Sequence, residues 1–286
     1  MPIFSAADGT RLAYHDRGEG DPLVVLPGGP MRASSYLGNL GGLDTGRRLV
    51  RLDLRGTGDS AAPADPATYR CDRMVADVEA LRVRLGLDRM DLMGHSAGGS
   101  LAMLYAARHP ERVRSLVLVT ANPWALGTTA TPEDRRSAAL LRKGEPWFEE
   151  AFRALESWLD GSADPGPEMA PLFYGRWDAA AQEHEARADE EFNDEAAEVY
   201  GSEGAYDPPA TLAALSRLTA PVLLLTGELD GAPNPELAHR TAAVFPHAEV
   251  AVQPGAGHYP WVDDPAWFAD RVSRFLDGRP QLDGRP

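Results

Sequence analysis

Short apolar-rich runs alternate along this chain with longer stretches in which apolar residues recur at helical spacing. Leu23 to Leu26, Leu49 to Leu54, Met90 to Met93, Val113 to Val119 and Val222 to Thr226 are such runs. Clusters of this length, bounded by glycine, proline or charge, predict strands buried on both faces. Met74, Val75, Val78, Leu81 and Leu85 keep the helical period, with Asp72 as a cap and Gly86 as the stop. Gly99 to Arg108, Pro235 to Phe245 and Pro265 to Leu276 read as further helices, and Glu249 to Val252 as a last strand. Ile3 to Ala6 and Leu12 to Asp16, joined through Asp8-Gly9, predict a hairpin at the sheet edge. The rhythm predicts an α/β protein: an eight-stranded, mostly parallel, doubly wound sheet with helices on both faces.

That rhythm breaks between Pro123 and Pro209. Stretches rich in Ala, Glu, Arg and Trp are interrupted there by Pro165-Gly166-Pro167 and Asp207-Pro208-Pro209. The expected division is a core from residues 1–121 and 211–278, with a helical lid at 122–210 inserted after the sixth strand. Residues 279–286 are expected to be a disordered tail. The charge follows the same division. The net charge is −15, and residues 122–210 hold 20 of the 43 acidic residues but only 7 of the 28 basic ones.

The acidic balance argues against nucleic acid or an anionic membrane surface as a partner. No run approaches the roughly 18 apolar residues of a membrane span. The first residues lack the basic start and apolar stretch of a secretory signal, so cytoplasmic residence is the default expectation. Cys71 is the single cysteine, which excludes an internal disulfide and a cysteine-based zinc site.

The chemistry concentrates at Gly94-His95-Ser96-Ala97-Gly98, between the Met90–Met93 strand and the helix that follows. A serine held between glycines at such a junction is a nucleophile elbow. It needs a base and a group to orient that base. Asp230, just past the Val222–Thr226 strand, and His258, in the Gly255–Pro260 loop after the last strand, supply both in the chain order Ser, Asp, His. Glu228 is the alternative acid. His95 adjoins the serine but is expected to point away from it, and His184 to be solvated or to cap a helix. The backbone N–H groups of Ala97 and Gly29 are the expected oxyanion donors, with Gly28 allowing close approach.

On these residues the chain resembles the α/β-hydrolase family over essentially its whole length. Within the family it is most similar to proline iminopeptidases and their relatives. Gly28-Gly29-Pro30, Asp53-x-Arg55-Gly56-x-Gly58-x-Ser60, Asp77 to Arg82 and the stretch from Ser96 through Val113 carry the likeness. The resemblance implies a Ser96-His258-Asp230 triad, oxyanion donors at Gly29 and Ala97, and no metal or organic cofactor. Two motifs depart from the iminopeptidase pattern: its His-Gly-Gly-Pro-Gly loop reads Pro27-Gly28-Gly29-Pro30-Met31, and its Gly-Gly-Ser-Trp-Gly elbow reads Gly-His-Ser-Ala-Gly. Relatives hold a free amino terminus with lid carboxylates. A helix from Asp189 to Val199 would turn Phe192, Ala196 and Val199 to one face, with Glu191 and Glu195 beside it. Tyr259 and Trp261 are candidate borders of the substrate site.

Three activities stay open at this point. They are release of an N-terminal proline or small aminoacyl group from a short peptide, hydrolysis of a small neutral ester or lactone, and ligand binding without turnover.

Overall fold

A computed structural model describes residues 1–164 and 166–278; the expected tail at 279–286 lies outside the described residues. The strands are β1 (Ile3–Ser5), β2 (Arg11–Arg17), β3 (Pro22–Leu26), β4 (Arg48–Leu52), β5 (Met90–His95), β6 (Val113–Val119), β7 (Val222–Gly227) and β8 (Ala248–Gln253). They form one sheet in the order β1-β2-β4-β3-β5-β6-β7-β8. β1 and β2 are antiparallel to their neighbours, and every pairing from β4 to β8 is parallel.

The central strands read as continuous apolar runs because both faces are covered. Val24, Leu26, Leu92, Leu116, Leu118, Val222 and Leu224 point into one core, with Met74, Val78 and Leu81 of α1 (Cys71–Arg84) and Leu101 and Leu104 of α2 (Ala97–Arg108). The alternate residues Leu23, Val25, Met93, Val117, Val119, Leu223 and Leu225 join a second core on the opposite face. Successive side chains of a strand point to opposite faces, so one run feeds two cores.

Between β6 and β7 lie α3 (Pro132–Leu140), α4 (Phe148–Leu159), α5 (Ala179–Glu185), α6 (Ala188–Glu191), α7 (Asp194–Tyr200) and α8 (Pro208–Leu215). This inserted segment has two parts. Ala139, Ala151, Leu155, Met169 and Leu172 form a small cluster of their own. Ala196, Tyr200 and Leu215 instead join the core around α2. α9 (Pro235–Ala242) follows β7, and α10 (Pro260–Asp263) and α11 (Pro265–Asp277) follow β8.

Two sequence expectations need correction. Asp72 does not cap α1: the helix begins at Cys71, and the Asp72 carboxylate accepts from the Arg70 guanidinium at 2.9 and 3.0 Å. The Asp189–Val199 helix is broken at Phe192, whose backbone is extended. There the chain pairs with another segment: Ala33 N–H donates to Glu191 C=O at 2.8 Å and Asn193 N–H to Met31 C=O at 3.0 Å. The Asn193 side chain then caps a new helix by accepting from Ala196 N–H.

Candidate active site

β5 delivers Ser96 to the carboxyl edge of the sheet, and α2 begins at the next residue. Ser96 sits at φ 51°, ψ −121°, a left-handed conformation that a side chain adopts only when its surroundings compel it. The flanking glycines make the turn possible. A Cβ on Gly94 would lie 2.5 Å from Gly98 O, and one on Gly98 would collide with Pro27 O. The Ser96 hydroxyl oxygen accepts from Asn122 Nδ2 at 3.3 Å, which leaves the hydroxyl proton for another partner.

Asp230 and His258 meet at the same edge, on the loops that follow β7 and β8. His258 Nδ1 lies 2.8 Å from Asp230 Oδ2, with both side chains buried. The other Asp230 oxygen accepts from Ala232 N–H at 2.9 Å. This pairing leaves His258 Nε2 without a hydrogen-bond partner among the described residues. The His258 backbone is held on both sides: its N–H donates to Phe173 C=O at 2.7 Å, and its C=O accepts from Thr120 Oγ1 and from His95 Nε2, each at 3.0 Å. Glu228, the alternative acid, is engaged elsewhere, accepting from Gly255 N–H at 2.8 Å.

Two backbone donors stand beside this group. Ala97 N–H opens α2, where the helix dipole favours negative charge. Gly29, at φ 122°, could not carry a side chain: its Cβ would lie 2.7 Å from Arg32 N and 3.1 Å from the Phe192 ring. Neither N–H has a partner among the described residues. Gly28 N–H does have one, donating to Tyr36 Oη at 2.7 Å, so Gly28 contributes its shape and not its amide.

The lid carboxylates are not arranged as the sequence suggested. Glu195 is exposed on α7. Glu191 is committed: it accepts from Arg32 Nε at 2.8 Å and from Ser35 Oγ at 2.6 Å. Arg32 is 1% exposed and stacks over the Tyr36 ring at 4.5 Å. Burial pushes its guanidinium down, but Tyr259, Glu191 and Tyr36 outweigh that, so its pKa lies above the usual value. No sequence spacing pointed to Arg32 or Tyr36, because each acquires its role from partners far along the chain.

His95 does point away from the serine, into a buried group of rings. Its ring centroid is 4.8 Å from Trp261, 5.0 Å from His258 and 5.5 Å from Tyr259 and Tyr36. Trp261 packs onward against Phe268 of the core. Burial, the neighbouring His258 and the charge on Arg32 hold the His95 ring well below its ordinary pKa of 6.5. His184 is not solvated. It is buried, with Nε2 3.0 Å from Tyr36 O and Nδ1 2.7 Å from Tyr174 Oη.

An open cleft of about 510 Å³ adjoins the site, lined by Pro30, Trp124, Thr129, Glu198, Tyr200 and Tyr206 among others. Pro30 follows Gly29, Trp124 follows Asn122 by two residues, and Tyr200 Oη donates to Ala97 C=O at 2.8 Å. Three walls of the cleft are thus continuous with the segments around Ser96. His15, Asp53 and Asp59 also lie close together, but Asp53 already accepts from Ser34 N–H, Asp59 N–H and His15. That cluster braces the Gly-rich loop after β4. No helix among the described residues is long and apolar enough to cross a membrane.

Comparison with known proteins agrees with this architecture. A Bacillus subtilis (strain 168) protein named "Putative 2-succinyl-6-hydroxy-2,4-cyclohexadiene-1-carboxylate synthase" is 30% identical, covering 96% of this chain and 97% of its own. A proline iminopeptidase of Lactiplantibacillus plantarum is 27% identical over 96% of this chain and 99% of its own. The solved esterase from Exiguobacterium antarcticum superposes with a TM-score of 0.72 at 22% identity, covering 96% of this chain and 98% of that one. Residues 21–265 match the family described as alpha/beta hydrolase fold, and the chain belongs to that family of enzymes.

Proposed function

We propose that the protein is a serine hydrolase that works through an acyl-enzyme on Ser96, with a small neutral ester or lactone as substrate. The observation that carries the chemistry is the 2.8 Å Asp230–His258 pair at the sheet edge that also bears the strained Ser96. Ser96 attacks the carbonyl while His258 Nε2 takes its proton. Asp230 holds Nδ1 and stabilises the imidazolium, and the N–H groups of Gly29 and Ala97 receive the developing oxyanion. His258 returns the proton to the leaving group, and water then releases the acyl group by the same steps in reverse.

The preference for a neutral substrate rests on Glu191. A cationic amino terminus would need a free carboxylate near the nucleophile, and Arg32 already neutralises this one. A second reading, release of an N-terminal proline, is favoured by the iminopeptidase relative that spans nearly the full length. On that reading the exposed Glu198, on the rim of the cleft, is the carboxylate available to an ammonium group.

A panel of p-nitrophenyl acetate, a simple lactone and prolyl-naphthylamide separates the two. We expect the ester and lactone to be turned over with the larger kcat/KM, and Ser96→Ala to lose on the order of 10⁶ in kcat. Faster turnover of the prolyl amide would replace the neutral-substrate reading with the second one. Undiminished turnover by Ser96→Ala would end both.

A further inference from the structure

The residue before the nucleophile and a tyrosine after the oxyanion loop form a continuous hydrogen-bond chain. Gly28 N–H donates to Tyr36 Oη at 2.7 Å, and Tyr36 Oη lies 2.7 Å from His95 Nδ1. His95 Nε2 lies 3.0 Å from His258 C=O. The direction of every bond follows from the groups at the ends. A carbonyl can only accept, so His95 Nε2 carries the ring proton. Nδ1 of the neutral ring is then an acceptor, and the Tyr36 hydroxyl must donate to it while accepting from Gly28. Tyr36, His95 and the Gly28 amide are all buried, so no water replaces a lost partner without rearrangement.

The two ends of this chain lie in the machinery of the reaction. At one end, Arg32 N–H donates to Gly28 C=O at 3.0 Å while Tyr36 holds Gly28 N–H. Both peptide planes flanking Gly28 are therefore fixed, and the second of them carries the Gly29 N–H. At the other end, His95 and Thr120 share the carbonyl of His258, the base. The ring itself is unsuited to proton transfer: both its nitrogens are occupied, and burial disfavours its charged form.

We propose that Tyr36 and His95 are positioning residues that hold the oxyanion loop and the backbone of His258 in mutual register. This rests on the reading of Ser96, His258 and Gly29 given above. Misplacing a reacting group by about 1 Å can cost on the order of 10² in rate. The cost falls on kcat, because neither residue is assigned a contact with substrate.

Tyr36→Phe keeps the ring and removes the relay, His95→Leu removes both of its bonds, and His95→Gln retains an amide donor toward His258 C=O. With p-nitrophenyl acetate we expect Tyr36→Phe and His95→Leu to lower kcat about 10²-fold with little change in KM. The double variant should fall no further than the worse single one, since both break one chain. His95→Gln should recover most of the loss. Losses that multiply in the double variant, losses in KM alone, or wild-type kcat in both single variants would overturn the proposal. Should His95→Leu fail to fold, Tyr36→Phe and His95→Gln still decide the matter.

Fluorophosphonate labelling, with Ser96→Ala alongside, separates the role of the nucleophile from that of the relay. An active, unlabelled Ser96→Ala removes the reading of the nucleophile and the relay with it. An inactive Ser96→Ala beside fully active Tyr36→Phe and His95→Leu removes the relay alone.

Discussion

The turn that carries Ser96 and the inserted segment that carries Glu191 approach the same site but are held in place by different forces. At Ser96 the constraint is local and made by the backbone: a buried strand, a helix start, and glycines where a Cβ would meet Gly98 O or Pro27 O. At Glu191 it is distant along the chain: a side-chain ion pair with a residue 159 positions away, and backbone bonds that join Glu191 and Asn193 to Ala33 and Met31 of the oxyanion loop. The first kind of constraint leaves a pattern in a few adjacent residues. The second leaves none, because either partner alone is an ordinary charged residue. The difference predicts that changes at the sheet edge remove chemistry while sparing the fold, and that changes in the insertion first remove stability.

The sharpest test of the first half is Asp230→Asn. The amide keeps the size of the carboxylate but holds His258 in the wrong tautomer, so kcat should fall on the order of 10⁴. Thermal melts should stay close to wild type. A large drop in Tm with little loss in kcat would mean that Asp230 braces the loop after β7 instead of orienting the base.

Arg32→Met tests the second half. It leaves the partly buried Glu191 carboxylate without its cation, and the expected cost is about 3 kcal/mol in denaturant melts. Pairing it with Glu191→Leu should recover most of that, because two apolar groups of similar volume need no partner. If the single variant melts like wild type, the insertion is held by its apolar contacts and the contrast drawn here disappears.

These two regions also mark how much could be read from sequence. The central strands β3, β5, β6 and β7 were legible because a strand buried on both faces has few alternatives to an apolar run, and Ser96 and Asp230 each follow such a strand. β1, β2 and β8, which precedes His258, are exposed along part of their length and were read from shorter patterns. The helix break at Phe192 was not legible. The apolar period continues through it, and what ends α6 is pairing with Met31 and Ala33, a tertiary contact that overrides local preference. Asp72 misled for a related reason. Its carboxylate suited a cap, but Arg70 two residues earlier takes it. The His95 relay was half legible: the ring's turn away from the serine could be anticipated, but its partner Tyr36 could not.

Acid should act on both sides of the site, because His184 of the insertion and His95 at the end of β5 are both held below the ordinary histidine pKa by burial. His184 of α5 is pushed down from 6.5 to about 4, by burial first and then by the charges on Arg32 and Arg187. Below pH 6.5 the unfolded chain takes up a proton that the folded one refuses. Its contribution is therefore complete above about pH 6.5 and declines as the pH falls toward 4, by up to about 3 kcal/mol. Hydrogen exchange at pH 7 and pH 4.5 should show protection lost across α5 and at the His95 end of β5 while β6 keeps its own. His184→Gln should remove the loss across α5 and leave that at the end of β5, and an unchanged loss across α5 in this variant would count against a separate role for the insertion.

The smallest effect should come from the carboxylate that the sequence placed beside Glu191. Glu195 is exposed on α7, while the face of that helix directed inward is built from Ala196 and Tyr200. Removing an exposed charge that meets only solvent changes neither packing nor pairing. Glu195→Gln should leave Tm unchanged and should leave KM for both p-nitrophenyl acetate and prolyl-naphthylamide at wild-type values. A rise in KM confined to the prolyl amide would instead mean that the insertion closes over a bound ammonium and brings Glu195 inward. In that case distant pairing would position the substrate as well as hold the fold, and the insertion would share the chemistry assigned here to the sheet edge.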